Sequence, residues 1–285
     1  SPSRGLGDVY KRQGADELID LIMRLFLDPG DKILDCPPTF GMYAFDASIL
    51  AAETISVPRR SDFSLDITAI ETAVAQHAPK LLFLASPNNP DGSLLPETDL
   101  LRLLELQLIV VLDEAYIEFA RGECSRIEWV LQHSNLIVLR TFSKWAGLAG
   151  LRVGYGVFPS ELMPLLWRIK QPYNVNVAAT MAALASLQDK ERQLDIVARI
   201  VRERGRLEGL LDEIRFLHRY PSGANFVLCR VKGRSARELQ HTLEGEGILV
   251  RHFDKPRLRD HIRISVGLPK HTDALVAALM KLESH

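Results

Sequence analysis

A lysine in the middle of the chain follows an apolar run and is surrounded by small residues. Lys144 lies in the stretch TFSKWAGLAGLRVGYG, which runs from Thr141 to Gly156, with Arg152 eight positions further on. The preceding residues LIVLRTF predict a strand that delivers this lysine to a crowded site. Such a lysine can form a Schiff base with a carbonyl cofactor. The alternative is an ordinary strand-end lysine in a glycine-rich loop.

Two other predicted strands also end in polar residues. Asp113 begins the segment DEAY, and Asn89 lies in SPNNPDG. Ligands of parallel sheets gather at the carboxyl ends of strands, so we expect Asp113 and Lys144 to face one crevice. A pyridine cofactor needs such a pair, because the lysine holds its aldehyde and the anion keeps its ring nitrogen protonated. Each residue alone fits a turn or a helix cap; the combination favours cofactor chemistry.

Further residues have the chemistry that the rest of such a cofactor requires. Ser143, Arg152 and the helix start at Gly14–Asp16 are suitable donors for a phosphate. Asn89 and Tyr116 can donate to a phenolic ring oxygen, which would lower the pKa of the imine. Phe40, in PPTFGMY, could stack on the ring face, although core packing is the simpler explanation for it alone.

The composition narrows the class of protein. The 285 residues are 47% hydrophobic and 25% charged, with a net charge of -1, so nucleic acid and an anionic membrane are not expected as partners. No apolar run approaches roughly 20 residues, and we predict a cytoplasmic protein. The scattered Cys36, Cys124 and Cys229 predict reduced thiols. The eight histidines lack ligand spacing, so no metal is predicted.

Alternating strand and helix patterns predict a doubly wound, mostly parallel α/β sheet followed by a smaller α/β unit. We assign residues 14–180 to the large domain and 181–285 to an interdomain helix and the small C-terminal domain. The predicted strands are Lys32–Asp35, Thr54–Val57, Leu81–Ala85, Leu108–Asp113, Leu136–Thr141 and Val153–Val157, then Asn225–Val231, Ile248–Val250 and His261–Val266. Residues 1–13 are polar and aperiodic, and we predict that they are a non-native tail.

The ordered motifs resemble the fold-type I pyridoxal-phosphate aminotransferases, and specifically the histidinol-phosphate aminotransferase branch. The matching stretches are GADELI, PPTFGMY, SPNNPDG, DEAYIEF, TFSKWAGLAGLRVGYG, SGANF and ILVRHFDKPRLRDHIRISVG. The resemblance implies a large domain with a mostly parallel seven-stranded sheet, a smaller C-terminal domain, pyridoxal 5′-phosphate and a homodimer. It also implies a longer N-terminal arm whose tyrosine reaches the partner's cofactor. Tyr10 does not match that tyrosine, and Gln13 stands where the family usually has Asn.

Carried over to this sequence, the resemblance implies a role for each matched residue. Lys144 is the lysine that binds the cofactor and shuttles the proton, Asp113 pairs with the ring nitrogen, and Tyr116 contacts the ring hydroxyl. The remaining implied cofactor contacts are Asn89 at the ring hydroxyl, Phe40 on the ring face, and Ala15, Asp16, Thr141, Ser143 and Arg152 around the phosphate.

The resemblance also places substrate contacts in the C-terminal part of the chain. Arg263 is the implied substrate arginine, with Arg251 and Asn225 as further contacts. Histidinol phosphate carries a phosphate and no carboxylate, whereas glutamate carries two carboxylates. The planar fork of arginine can accept either anion.

The expected reaction is transfer of an amino group between L-histidinol phosphate and 2-oxoglutarate, in histidine biosynthesis. Two enzyme alternatives share the cofactor pocket: a threonine-phosphate decarboxylase and an aromatic aminotransferase. A non-catalytic alternative is the aminotransferase-like ligand-binding domain of a regulator. Turnover and product analysis separate these four readings.

Overall fold

The computed structural model describes residues 9–12, 14–122, 124–172 and 174–283. Of the predicted tail, residues 1–8 and Gln13 lie outside this range. Within it, no helix is long and apolar enough to cross a membrane.

The larger of two sheets has the strand order β1-β7-β6-β5-β4-β2-β3. The five strands from β6 to β3 are parallel, β7 runs antiparallel to β6, and β1 pairs antiparallel with β7. The edge strand β1 lies within residues 1–13, which were predicted to be a non-native tail. The strands are β1 (Val9–Arg12), β2 (Lys32–Asp35), β3 (Glu53–Ser56), β4 (Leu81–Ala85), β5 (Ile109–Asp113), β6 (Leu136–Thr141) and β7 (Gly154–Val157).

Helices cover both faces of this sheet, because its central strands are apolar on both sides. All five residues of β4 are buried: Leu82 and Leu84 belong to the core on one face, and Leu81 and Phe83 to the core on the other. The helices of this part are α1 (Gly14–Phe26), α2 (Met42–Ile49), α3 (Ile67–His77), α4 (Glu97–Leu104) and α5 (Met163–Ile169). A 3₁₀ helix lies at Ile127–Leu131, between β5 and β6.

Two helices, α6 (Val177–Gln188) and α7 (Lys190–Asp212), lead to the second sheet. That sheet is antiparallel, with the order β10-β11-β9-β8. Its helices pack on one apolar core with Leu207, Val227 and Leu279 at its centre. Its elements are β8 (Leu217–Arg219), β9 (Phe226–Val231), α8 (Ala236–Gly245), β10 (Arg251–His252), β11 (His261–Ser265) and α9 (Pro269–Glu283).

The strand predicted at Ile248–Val250 is wrong. The chain leaves α8 through Gly247, whose φ is +79°, and the amide of Ile248 bonds back to the carbonyl of Leu243. Ile248 and Val250 therefore pack against the small core from a helix-terminating turn. The β-branched residues at these positions reflect burial, and the strand begins only at Arg251.

The strand ends that carry the predicted chemistry are neighbours. Ala85 of β4 pairs with Asp113 of β5, and Asp113 pairs with Leu139 of β6. Asp113 is the last residue of β5, Asn89 follows β4 on one side of it, and Lys144 follows β6 on the other. The three residues therefore lie at the same edge of the sheet.

Candidate active site

A cavity of about 120 Å³ lies at the carboxyl ends of β4, β5 and β6. All ten residues that were predicted to bind the cofactor line it, and the sheet topology explains why distant motifs meet there. The lining residues are Ala15, Asp16, Phe40, Ala85, Pro87, Asn89, Asp113, Ala115, Tyr116, Thr141, Ser143, Lys144 and Arg152.

Asp113 is the buried anion of this cavity. Its Oδ1 accepts the amide of Ala115 at 3.0 Å, and its Oδ2 accepts the hydroxyl of Tyr43 at 2.9 Å. Burial raises the pKa of Asp113 to about 6, while these two hydrogen bonds act in the opposite direction. At neutral pH the carboxyl group is therefore mostly ionised and can pair with a protonated nitrogen.

Tyr43 is a functional candidate that the sequence did not reveal. It lies three positions after Phe40, and the two rings meet edge to face with centroids 5.6 Å apart. Phe40 precedes α2 and Tyr43 is its second residue, and the amide of Tyr43 donates to the carbonyl of Phe40 at 3.5 Å. The spacing in PPTFGMY was the available signal, but it does not show that the hydroxyl bonds to Asp113.

Lys144 lies in the loop that follows β6. Its Nζ is 5.5 Å from the centroid of the Tyr116 ring, and its side chain is exposed to the cavity mouth. The turn before it is closed by Thr141, whose Oγ1 accepts the amide of Ser143 at 3.1 Å. This side-chain-to-backbone bond fixes the course of the loop where it leaves the strand. Thr141 thus shapes the loop that presents Ser143 and Lys144.

The start of α1 and Arg152 meet at one end of the cavity, where a phosphate was predicted to bind. Arg152 has a φ of +54°, and its Nη2 donates to Oδ2 of Asp16 at 2.7 Å. A Cβ on Gly14 would lie 2.8 Å from this Nη2, and one on Gly154 would lie 2.9 Å from the amide of Ala15. Glycines at both positions therefore allow the guanidinium and the helix start to approach each other.

Arg263, on β11, is joined to the cavity through Asn89. Its Nη1 donates to Oδ1 of Asn89 at 2.5 Å, and its guanidinium lies 4.8 Å from the ring centroid of Phe226 and 5.7 Å from that of Phe253. Its Nε is buried without a hydrogen-bond partner among the described residues. Burial lowers the pKa of Arg263, and the neighbouring Arg251 acts in the same direction. Arg263 is therefore a partly desolvated cation whose Nε–H group has no acceptor among the described residues.

The three predicted substrate residues do not line the cavity itself. Arg251 pairs with Arg263 across β10 and β11, and its guanidinium lies 5.6 Å from the ring centroid of Phe253. Asn225 precedes β9, and its backbone carbonyl accepts the amide of Val266. The structure brings Arg263 to the cavity edge and Arg251 beside it, whereas the recorded contact of Asn225 is made by its backbone.

The side chains around the cavity fit a phosphorylated pyridine aldehyde. The set offers a lysine amine, a buried carboxylate, an aromatic ring, and an arginine beside a helix start. No group of three potential metal ligands occurs among the described residues. The unpaired Nε of Arg263 provides a donor for a further anion beside the ring site.

The sequence profile of the family described as "Aminotransferase class I and II" matches residues 8–281. The chain belongs to this family. It is 56% identical over 267 residues to a protein named "Histidinol-phosphate aminotransferase 1, chloroplastic" from Arabidopsis thaliana, covering 93% of this chain and 64% of the relative. It is 52% identical over 272 residues to a histidinol-phosphate aminotransferase from Roseiflexus castenholzii, covering 94% and 73%. The chain therefore spans less than two thirds of the Arabidopsis relative's length.

The fold is also that of solved family members. The histidinol-phosphate aminotransferase from Sinorhizobium meliloti, solved in complex with pyridoxal-5′-phosphate, matches with a TM-score of 0.87 and 27% identity. The match covers 97% of this chain and 76% of that one. The predicted fold-type I α/β architecture is confirmed by this similarity and by the mostly parallel sheet.

Proposed function

We propose that the protein is a pyridoxal-phosphate-dependent aminotransferase that acts on L-histidinol phosphate and 2-oxoglutarate. The observation that carries this proposal is the meeting of Lys144, Asp113 and Arg152 around one cavity, in a chain 56% identical to a named histidinol-phosphate aminotransferase. The reaction gives imidazole-acetol phosphate and glutamate.

The cofactor, when bound, supplies an aldehyde carbon that receives the amino group and a ring that accepts electrons. Asp113 keeps a proton on the ring nitrogen, and its burial strengthens that ion pair. Asn89 and Tyr116 donate to the ring hydroxyl. Phe40 covers one face of the ring. Arg152, Ser143 and the amides of Ala15 and Asp16 hold the phosphate.

Lys144 is the proton carrier. With the cofactor bound, its Nζ would accept and hold the proton that leaves the carbon bearing the substrate's amino group. The position of Nζ at the cavity mouth beside the Tyr116 ring supports this role. The turn closed by Thr141 and Ser143 limits the freedom of the loop that carries Lys144.

Arg263 selects the substrate anion. Its guanidinium is half-buried, linked to Asn89 and flanked by two aromatic rings, which leaves the buried Nε edge for an incoming phosphate or carboxylate. Arg251 adds a second positive charge on the adjacent strand. Asn225 remains a proposed third contact.

We further propose that the protein acts as a homodimer. Part of the surface near the site is apolar: 78% of Val177 and 60% of Met181 are exposed on α6, and 57% of Trp167 on α5. Leu184 and Leu187 extend this surface along α6. Exposed apolar faces of this kind mark association surfaces. The cytoplasmic location likewise remains a prediction.

The test combines chemical labelling of the cofactor-binding lysine with product analysis. Purified protein is mixed with pyridoxal phosphate and reduced with borohydride, and the modified lysine is located by peptide mapping. We expect the label on Lys144 and none on the Lys144→Ala variant. Exposed Lys190, changed to alanine, is the control and should leave the labelling of Lys144 unchanged.

Substrate identity is tested by supplying histidinol phosphate, threonine phosphate and phenylalanine separately, with and without 2-oxoglutarate. Glutamate should form only with histidinol phosphate and 2-oxoglutarate together. Carbon dioxide released from threonine phosphate without 2-oxoglutarate would instead identify a decarboxylase. Cofactor binding without turnover of any of the three would favour a ligand-binding domain.

A further inference from the structure

Asp113 receives two hydrogen bonds of different origin. The bond from the amide of Ala115 is local, two residues along the chain. The bond from the hydroxyl of Tyr43 comes from a residue 70 positions earlier. The two donors bind different oxygens, and together they fix the plane of the carboxyl group. With the local bond alone, the group could rotate about its bond to Cβ.

The Tyr43 hydroxyl is held rigidly. The side chain is fully buried, its ring stacks on Phe83 with centroids 5.1 Å apart, and it also makes an edge-to-face contact with Phe40. Burial also raises the pKa of Tyr43 well above its usual range, and the nearby Asp113 charge acts in the same direction. The hydroxyl therefore stays protonated and acts as a donor at all working pH values.

We propose that Tyr43 is a positioning residue that orients the Asp113 carboxyl group and favours its anionic form at the ring nitrogen of the cofactor. Each oxygen of the carboxylate has two acceptor sites, so one remains free on each after the two observed bonds. The pairing with the ring nitrogen is part of the proposed function. The effect of Tyr43 on Asp113 does not depend on that pairing.

The electrostatic part of this role follows from burial. A carboxyl group in an apolar site resists ionisation, and a donor to the charged form offsets that resistance. Among the described side chains, Tyr43 is the one that donates a hydrogen bond to Asp113, while Asp16 and Glu114 add negative charge nearby. Without the hydroxyl, Asp113 should take up its proton at a higher pH.

The segment that contains Tyr43 also carries Phe40, the residue proposed to cover one face of the cofactor ring. Phe40 lies three residues before Tyr43, and their rings are in contact. One segment therefore sets both the aromatic ring that covers the cofactor and the orientation of the anion at its edge.

The test is the Tyr43→Phe variant, which keeps the ring packing and removes only the hydroxyl. The pKa of the Asp113 carboxyl group is measured by carbon-13 NMR in cofactor-free protein, with Asp113→Asn to assign the signal. We expect the titration midpoint to rise by about one pH unit, and the affinity for pyridoxal phosphate at pH 7 to fall about tenfold. Tyr220→Phe, which removes a hydroxyl near His261 and outside the cavity, should change neither quantity.

An unchanged Asp113 midpoint in Tyr43→Phe would overturn the proposal. If wild-type protein does not bind pyridoxal phosphate, the proposed function fails, and the carboxyl titration still decides the role of Tyr43. Should the variant not fold, the NMR signal of the buried Tyr43 hydroxyl proton is compared between wild type and Asp113→Asn. A resonance that keeps its wild-type position would contradict a hydrogen bond to the carboxylate.

Discussion

Nη1 of Arg263 lies 2.5 Å from Oδ1 of Asn89, so a strand of the small sheet is joined to the loop after β4 in the large one. The amide group of Asn89 has a carbonyl oxygen and an NH₂ group. With the oxygen bound to Arg263, the NH₂ group is left to donate into the cavity. The Asn89 side chain therefore connects the proposed substrate arginine to the proposed ring-hydroxyl site.

Replacing Arg263 with alanine should impair both half-reactions. The guanidinium is half-buried and is the proposed partner of either substrate's anion, so kcat/KM should fall about 100-fold for histidinol phosphate and for glutamate alike. Single-turnover kinetics with each substrate measure this directly. Arg263→Lys keeps the charge without the planar fork and should recover only part of the loss.

The exposed Arg199 on α7, changed to alanine, serves as the control and should leave both rates unchanged. A loss confined to glutamate would show that the phosphate of histidinol phosphate is held elsewhere.

The central strands were predictable because burial on both faces requires continuous apolar runs. Leu81–Ala85 and Leu136–Thr141 have the predicted bounds, and each ends where polar, site-forming residues begin. Edge elements were harder to predict. The sequence pattern predicted no strand at Leu217–Arg219, a three-residue strand at the edge of the small sheet. Such short segments have little periodicity.

The site was predictable residue by residue only where a motif matched the family. Phe40 was predicted from PPTFGMY, but Tyr43 in the same motif was not. Its partner Asp113 is 70 positions away, and local spacing carries no information about such a contact. The ion pair between Asp16 and Arg152 was missed for the same reason, although both residues were assigned to the phosphate site.

Replacing Arg152 with glutamine should weaken binding of the cofactor's phosphate specifically. Because the guanidinium lies at the start of α1, its loss should raise the dissociation constant for pyridoxal phosphate at least about tenfold. Pyridoxal, which lacks the phosphate, should bind equally well to both proteins. Fluorescence titration measures both constants.

Arg168→Gln, on the exposed side of α5, is the matched control for the loss of one positive charge. Equal weakening of pyridoxal and pyridoxal phosphate would place Arg152 away from the phosphate.

Introducing a charge on the exposed face of α6 should disrupt the proposed homodimer. Met181→Glu places a carboxylate in the apolar surface that includes Val177, and desolvating that charge opposes association. Sedimentation velocity should show a shift from dimer to monomer at micromolar concentration. Leu249→Glu alters an even more exposed apolar residue near β10 and should leave the dimer intact. A dimer that persists in Met181→Glu would exclude this face as the interface.

Neutralising Asp46 should stabilise the protein at neutral pH. Asp46, on α2, is 7% exposed, and burial with the nearby Asp20 and Asp16 raises its pKa from 3.8 to about 6. A carboxyl group with a raised folded-state pKa favours the folded state below about pH 4. That contribution is lost as the pH rises through 6. Asp46→Asn should therefore raise the melting temperature by about 2–4 °C at pH 7.5, with the gain vanishing near pH 4.

Thermal unfolding between pH 4 and 8 measures this dependence in cofactor-free protein. Asp195→Asn, an exposed change on α7, is the control and should shift the melting temperature little at any pH. The decisive quantity is how the difference in melting temperature between Asp46→Asn and wild type changes with pH. A packing defect would lower the melting temperature equally at pH 4 and at pH 8. A loss of stability in Asp46→Asn that grows as the pH rises would mean that Asp46 makes favourable contacts as an anion, contrary to the direction of its pKa shift.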